Sequence, residues 1–132
     1  MKTTATVASW LVRLAGLFQI ATGLLFWTGN ALALLPFHML SGLVLVLSLW
    51  TIAVVALRGG VGAGLVALAV LWGLLVVVLG VTQTQLLPGE LHWIVQLLHL
   101  LVGLAAMGLA QAMVGRIGPG RLETGTPVGV PG

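Results

Sequence analysis

The sequence predicts an all-α integral membrane protein, an up-down-up-down bundle of four helices. Three observations lead there. Of the 132 residues 60% are apolar, and only five are basic and two acidic. A soluble surface needs roughly a quarter or more of charged residues, so most of this chain is expected in hydrocarbon. Four apolar runs are each long enough to cross a core about 30 Å thick, which takes roughly 20 helical residues. The breakers between the runs are short, so consecutive helices are expected as antiparallel neighbours.

The first run covers residues 7–27. Its basic start, "MKTTATVASW", has the charge of a secretory leader. The run is a full span long, however, and no small-x-small cleavage site follows, which predicts a retained helix. The second run, 31–57, is entered through "TGN" at 28–30 and Pro36. The third, 61–82, follows "RGGVG" at 58–62, and the fourth, 91–114, follows "PGE" at 88–90. Residues 1–114 therefore read as one transmembrane domain. Residues 115–132, rich in Gly and Pro and without periodicity, read as a flexible tail.

Charge sets the orientation. Lys2, Arg13, Arg58, Arg116 and Arg121 all fall at one side of the four-span arrangement, and the two opposite connections carry no Lys or Arg. The positive-inside rule then places both termini in the cytoplasm of a prokaryotic-type inner membrane. Arg13 lies near the cytoplasmic end of its run, where it is expected to snorkel. Trp10, Trp27 and Trp93 sit near span ends as interfacial anchors, and Trp50 and Trp72 lie deeper as packing residues. The basic residues are scattered, so no nucleic-acid partner is implied. The absence of cysteine rules out disulfides and thiolate metal sites. "GGVGAG" at 59–64 is a turn rather than a phosphate loop, because no Lys-Ser/Thr follows it.

The chain also repeats itself. Gly16 and Gly23 in the first run are seven residues apart, as are Gly73 and Gly80 in the third, at an offset of 57. "HMLSGL" at 38–43 and "HLLVGL" at 99–104 share the frame His-x-Leu-x-Gly-Leu, at an offset of 61. Each half is a Gly-x6-Gly helix followed by a His-x3-Gly helix. Both halves start on the cytoplasmic side, so a pseudo-two-fold axis is expected along the membrane normal.

Histidines in an apolar run are functional candidates, because an imidazole leaves a donor and an acceptor to satisfy. His38 lies 20 residues before Arg58 and His99 lies 17 before Arg116. The difference of three residues is about 4.5 Å of helix, so the two have similar depths on helices that run the same way; counted instead from Pro36 and Pro88, His92 matches His38 better, and it is the shared His-x-Leu-x-Gly-Leu frame that favours His99. Such a pair offers one nitrogen above and one below a flat metal macrocycle on the bundle axis. Gly23 and Gly80 would clear its edges. Gly42 and Gly103, one turn beyond each histidine, would relieve its face. His92 shares a stripe with Gln96, His99 and Gly103, and is expected toward the outer surface near propionates or a quinone headgroup. Asn30, Gln83, Gln85 and Trp93 are further donors on that side.

Glycines on the first and third helices and histidines on the second and fourth resemble the haem-binding bundle of membrane b-type cytochromes. The resemblance implies one b haem near the extracytoplasmic side, with His38 and His99 as its iron ligands. It implies electron transfer, to or from a quinone or another membrane subunit. Respiratory members of that group carry two histidines on each ligand helix, for two haems. Here the positions 14 residues beyond His38 and His99 hold Ile52 and Met113, so a second haem is not expected. The competing expectation is a cofactor-free accessory subunit of a larger membrane complex, or a homo-oligomer. Its glycine faces would then be helix contacts and its histidines satisfied polar groups. A transporter ranks lower, since Glu90 is the only acid before the tail.

Overall fold

A computed structural model describes residues 2–117, and the tail from 118 onward lies outside the described residues. The described chain is all-α, with four long helices: α1 (Lys2–Trp27), α2 (Leu35–Arg58), α3 (Ala63–Thr82) and α4 (His92–Arg116). All four are long and apolar enough to cross a membrane. Helix α1 begins five residues earlier than the apolar run does, because Lys2, Thr3, Thr4 and Thr6 extend it without being apolar; Thr6 Oγ1 bonds back to Lys2 O at 3.0 Å. At the other end α4 takes in Gly115 and Arg116, which had been assigned to the tail.

Chain reversals follow from local chemistry. Before α2 a 3₁₀ turn at Leu32–Leu34 leads into the helix, and Pro36 occupies its second position, where no intrahelical donor is lost. After α2 the chain closes as a Schellman motif. Gly60 adopts φ +79°, its N–H bonds to Leu57 O at 3.2 Å, and Val61 N–H bonds to Ala56 O at 3.0 Å. Val61 is buried, supplying the apolar contact that goes with this cap.

The helices pack in alternating directions. Helix α1 touches α2 and α4, α3 touches α2 and α4, and α2 also touches α4, whereas α1 and α3 do not meet. The core sits toward the Lys2 and Arg58 end. Val12, Leu49, Ile52, Ala106, Ala110 and Met113 have no exposed surface there. Large residues on α2 meet small ones on α4, which lets these two helices approach. Outside, Leu14, Leu17, Leu71, Val78 and Val81 are among many exposed apolar side chains.

Two tryptophans fasten neighbouring helices through backbone carbonyls. Trp50 Nε1 donates to Val70 O at 3.3 Å, joining α2 to α3. Trp72 Nε1 donates to Val102 O at 2.9 Å, joining α3 to α4. These side chains thus do more than fill space, which is the role composition alone assigns them. A polar cluster joins α1 to α4: Arg13 Nη2 donates to Gln111 Oε1 at 2.7 Å, Ser9 lies 3.4 Å from the Gln111 amide nitrogen, and the guanidinium stands 5.3 Å from the Trp10 ring centre.

Gly16 and Gly73 take the large side chains that reach across. The Met107 thioether lies against Gly16, and the Trp50 indole against Gly73. A Cβ at either position would collide, but the consequences differ. The end of Met107 is flexible and can swing away. The indole is rigid and tied to Val70. Gly73→Ala is therefore expected to destabilise by about 1–3 kcal/mol, the usual overpacking range, and Gly16→Ala by under about 1 kcal/mol. Denaturant unfolding in detergent checks the order; a larger loss at Gly16 would contradict this packing.

Candidate histidine site

The histidines lie toward the other end of the four helices, away from the tightest core. His38, in the first turns of α2, is buried. Its Nδ1 is 2.6 Å from Thr22 Oγ1 on α1. The Thr22 hydroxyl has one proton, and Phe18 O lies 2.7 Å away to accept it. The imidazole is then the donor: Nδ1 carries hydrogen, and Nε2 holds the free lone pair. That tautomer is the one a metal-ligating imidazole adopts when its other nitrogen is held by an acceptor. Phe26 closes one side of the ring, edge on, with centres 5.2 Å apart.

Helix α1 also holds the backbone beneath this ring. Gln19 Nε2 donates to His38 O at 2.5 Å and to Ser41 Oγ at 3.1 Å. Ser41 Oγ in turn donates to His38 O at 3.0 Å. Gly42 makes this possible: a Cβ there would stand 2.7 Å from the Gln19 amide nitrogen. The space at Gly42, assigned from sequence to a macrocycle face, belongs to Gln19.

His99, on α4, is partly buried, and its Nδ1 is enclosed with no hydrogen-bond partner. The contrast with His38 follows from the repeat. Gln19, Thr22 and Ser41 correspond, at the offsets of 57 and 61, to Val76, Leu79 and Val102. All three of those are apolar and buried. Packing on the glycines, by contrast, is matched. A Cβ at Gly23 would lie 3.9 Å from His38 Cε1, and one at Gly80 would lie 3.5 Å from His99 Cε1. These two glycines seat the imidazoles themselves. Gly103 has open space where a Cβ would be.

The two imidazole centres are 6.4 Å apart, with planes inclined by 42°. A metal–imidazole bond is about 2.0–2.1 Å and the ring centre lies about 1 Å beyond the nitrogen, so two rings on one ion have centres about 6 Å apart. Direct hydrogen bonding between the rings would bring the centres closer, to about 5 Å. Among the described residues no group of three or more His, Cys, Asp or Glu forms a metal site. The observed spacing is close to that of two imidazoles on a single ion, and His99 Nδ1 is an enclosed polar atom with no partner in the protein.

His92 stands apart from the pair. It opens α4, partly buried, and its Nδ1 donates to Leu86 O at 3.2 Å, tying the 3₁₀ turn at Gln83–Gln85 to the helix start. Thr22 and Ser41 are the site residues that sequence reasoning missed. The available signal was position: Thr22 immediately precedes the glycine that packs on His38, and Ser41 lies within the His-x-Leu-x-Gly frame. Comparison with protein families, with curated proteins and with solved structures finds no match for this chain.

Proposed function

We propose that this chain is an integral membrane four-helix bundle that carries one b haem between His38 and His99 and passes electrons within the bilayer. The spacing of the two imidazole centres, 6.4 Å, is the observation that carries the reading. When bound, the iron supplies one-electron transfer. The chain's own residues do the rest. His38 and His99 would hold the iron. Thr22 orients His38, Gly23 and Gly80 seat the two rings, and Gly103 leaves room beside α4. His92, two turns nearer the outer surface than His99, faces the side where a quinone or a partner subunit would meet the protein.

Insertion in the bilayer is supported by the apolar exterior and by the hydropathy of the four helices. Lys2, Arg58 and Arg116 lie at one end and Glu90 at the other, a distribution that supports cytoplasmic termini and histidines toward the extracytoplasmic face. The matched Gly23–His38 and Gly80–His99 contacts support a pseudo-two-fold axis along the membrane normal. One observation favours the cofactor-free alternative, an accessory subunit: α2 and α4 already touch, so the helices can close on each other without a guest.

Colour decides between them. Protein purified from cells that make haem is expected to show a sharp Soret band and resolved bands on reduction. His38→Ala and His99→Ala should each remove that bis-imidazole spectrum, and His92→Ala should keep it. A colourless wild type, or a bis-imidazole spectrum lost in His92→Ala and kept in His99→Ala, would overturn the assignment.

Leucine at Gly23 or Gly80 must push an imidazole aside, so haem should be lost before the fold is. Leucine at Gly16 or Gly73 should cost stability first and spare the spectrum of whatever remains folded. Haem per folded protein in the four variants is the measurement, and equal retention at all four counts against the site. For topology, a reporter fused after Gly132 should be active only in its cytoplasmic form.

A further inference from the structure

The two histidines are matched in position and unmatched in support. His38 Nδ1 is held by Thr22 Oγ1 at 2.6 Å, and the peptide carbonyl of the same residue is held by Gln19 and Ser41. His99 Nδ1 is enclosed and bonds to nothing. The position corresponding to Thr22 is Leu79, which likewise precedes the glycine under the ring and is buried. An acceptor behind a ligating imidazole fixes its tautomer and orientation and raises its basicity, and its loss typically weakens metal binding on the order of 10- to 100-fold. An imidazole lacking that acceptor is the weaker donor.

We infer that His38 is the permanent ligand and His99 the exchangeable one, so that the His99 side of the site admits a small neutral diatomic ligand. This rests on the haem reading above. The exchange is a ligand substitution. With the group bound, His99 would give up its place to the incoming molecule, and no electron or proton would be transferred. Thr22 is a positioning residue in this scheme. The second half offers buried apolar side chains, Val76, Leu79 and Val102, where the first half has Gln19, Thr22 and Ser41, and such surroundings favour a neutral ligand over an anion.

Carbon monoxide added to the dithionite-reduced protein is the probe. The wild type should take it up with a shift of the Soret band. His99→Ala should retain haem on one axial ligand and bind carbon monoxide faster, whereas His38→Ala should lose haem. Leu79→Thr should supply the missing acceptor and slow uptake, on the order of 10-fold or more by the effect of such partners. Thr22→Val should weaken haem retention by a similar factor, and Thr22→Ser should restore it, a rescue that a purely space-filling role would not give. Should Leu79→Thr fail to fold, Leu79→Ser and the two histidine variants decide alone. A wild type without haem overturns the haem reading and this inference with it. A wild type with haem, in which His38→Ala and His99→Ala retain it equally or Leu79 variants leave carbon monoxide uptake unchanged, overturns this inference only.

Discussion

A buried polar group must find its partner inside the protein, and the arrangement of this molecule follows from how few partners there are. Among the buried side chains of the described residues only Ser9, Thr22, His38 and Ser48 are polar. Three donors are answered by a neighbouring helix, His38 by Thr22, Trp72 by Val102 O and Trp50 by Val70 O, while His99 Nδ1 is not. Each such bond between helices is worth about 0.6 kcal/mol on average in a membrane protein, so none of them alone holds the fold. Their effect is on register. A helix sliding by one residue would turn Thr22 away from His38 and leave an unsatisfied imidazole, which costs more than the bond gains.

Glycine serves two purposes here, separated by depth. Gly16 and Gly73 admit a thioether and an indole and bring α1 to α4 and α3 to α2. Gly23 and Gly80, two turns away on the same helices, admit imidazole edges at ordinary van der Waals distance. The first pair lies level with the dense core, where alanines on α4 face leucine and isoleucine on α2. The second pair lies where packing opens out. Apolar surface alone gives little drive to association if the surroundings are as apolar as the core, so close approach at glycine and alanine carries the packing. A cofactor placed at the open end would join helices that the dense end already holds in register.

How much of this the sequence discloses depends on the range of the interaction. Helix existence and order are set by long apolar runs and by Gly and Pro breakers, and these are local. The ends shift by a few residues, as at Lys2 and Arg116, because a polar residue can extend a helix that hydropathy does not mark. The recurrence of glycine and histidine is also visible, and the fold sets the rings of His38 and His99 6.4 Å apart. What cannot be read off is which neighbour takes the space a glycine leaves. Gly42 yields to Gln19 from another helix, 23 residues away, and no periodicity within α2 reports that. Thr22 escapes notice for a related reason: threonine in a helix commonly bonds its own preceding turn, as this one does to Phe18, and only the fold shows the second use of its oxygen.

The two halves agree in glycine and histidine and differ in what surrounds them, and that difference gives the site a direction. In the first half Gln19, Thr22 and Ser41 bind the imidazole of His38 and its peptide. In the second Val76, Leu79 and Val102 offer nothing to His99. A strictly repeated site would hold a central ion equally from both sides, and any exchange would be as costly on one side as on the other. Here one arm is fixed through α1 and the other is free of polar restraint. The same asymmetry accounts for the one enclosed polar side-chain atom left without a partner among the described residues, His99 Nδ1. Leaving it so costs about 1–3 kcal/mol, and a bond formed at the opposite nitrogen would not remove that cost; it stays with the second half, whose ring is placed by packing on Gly80 rather than by a polar partner.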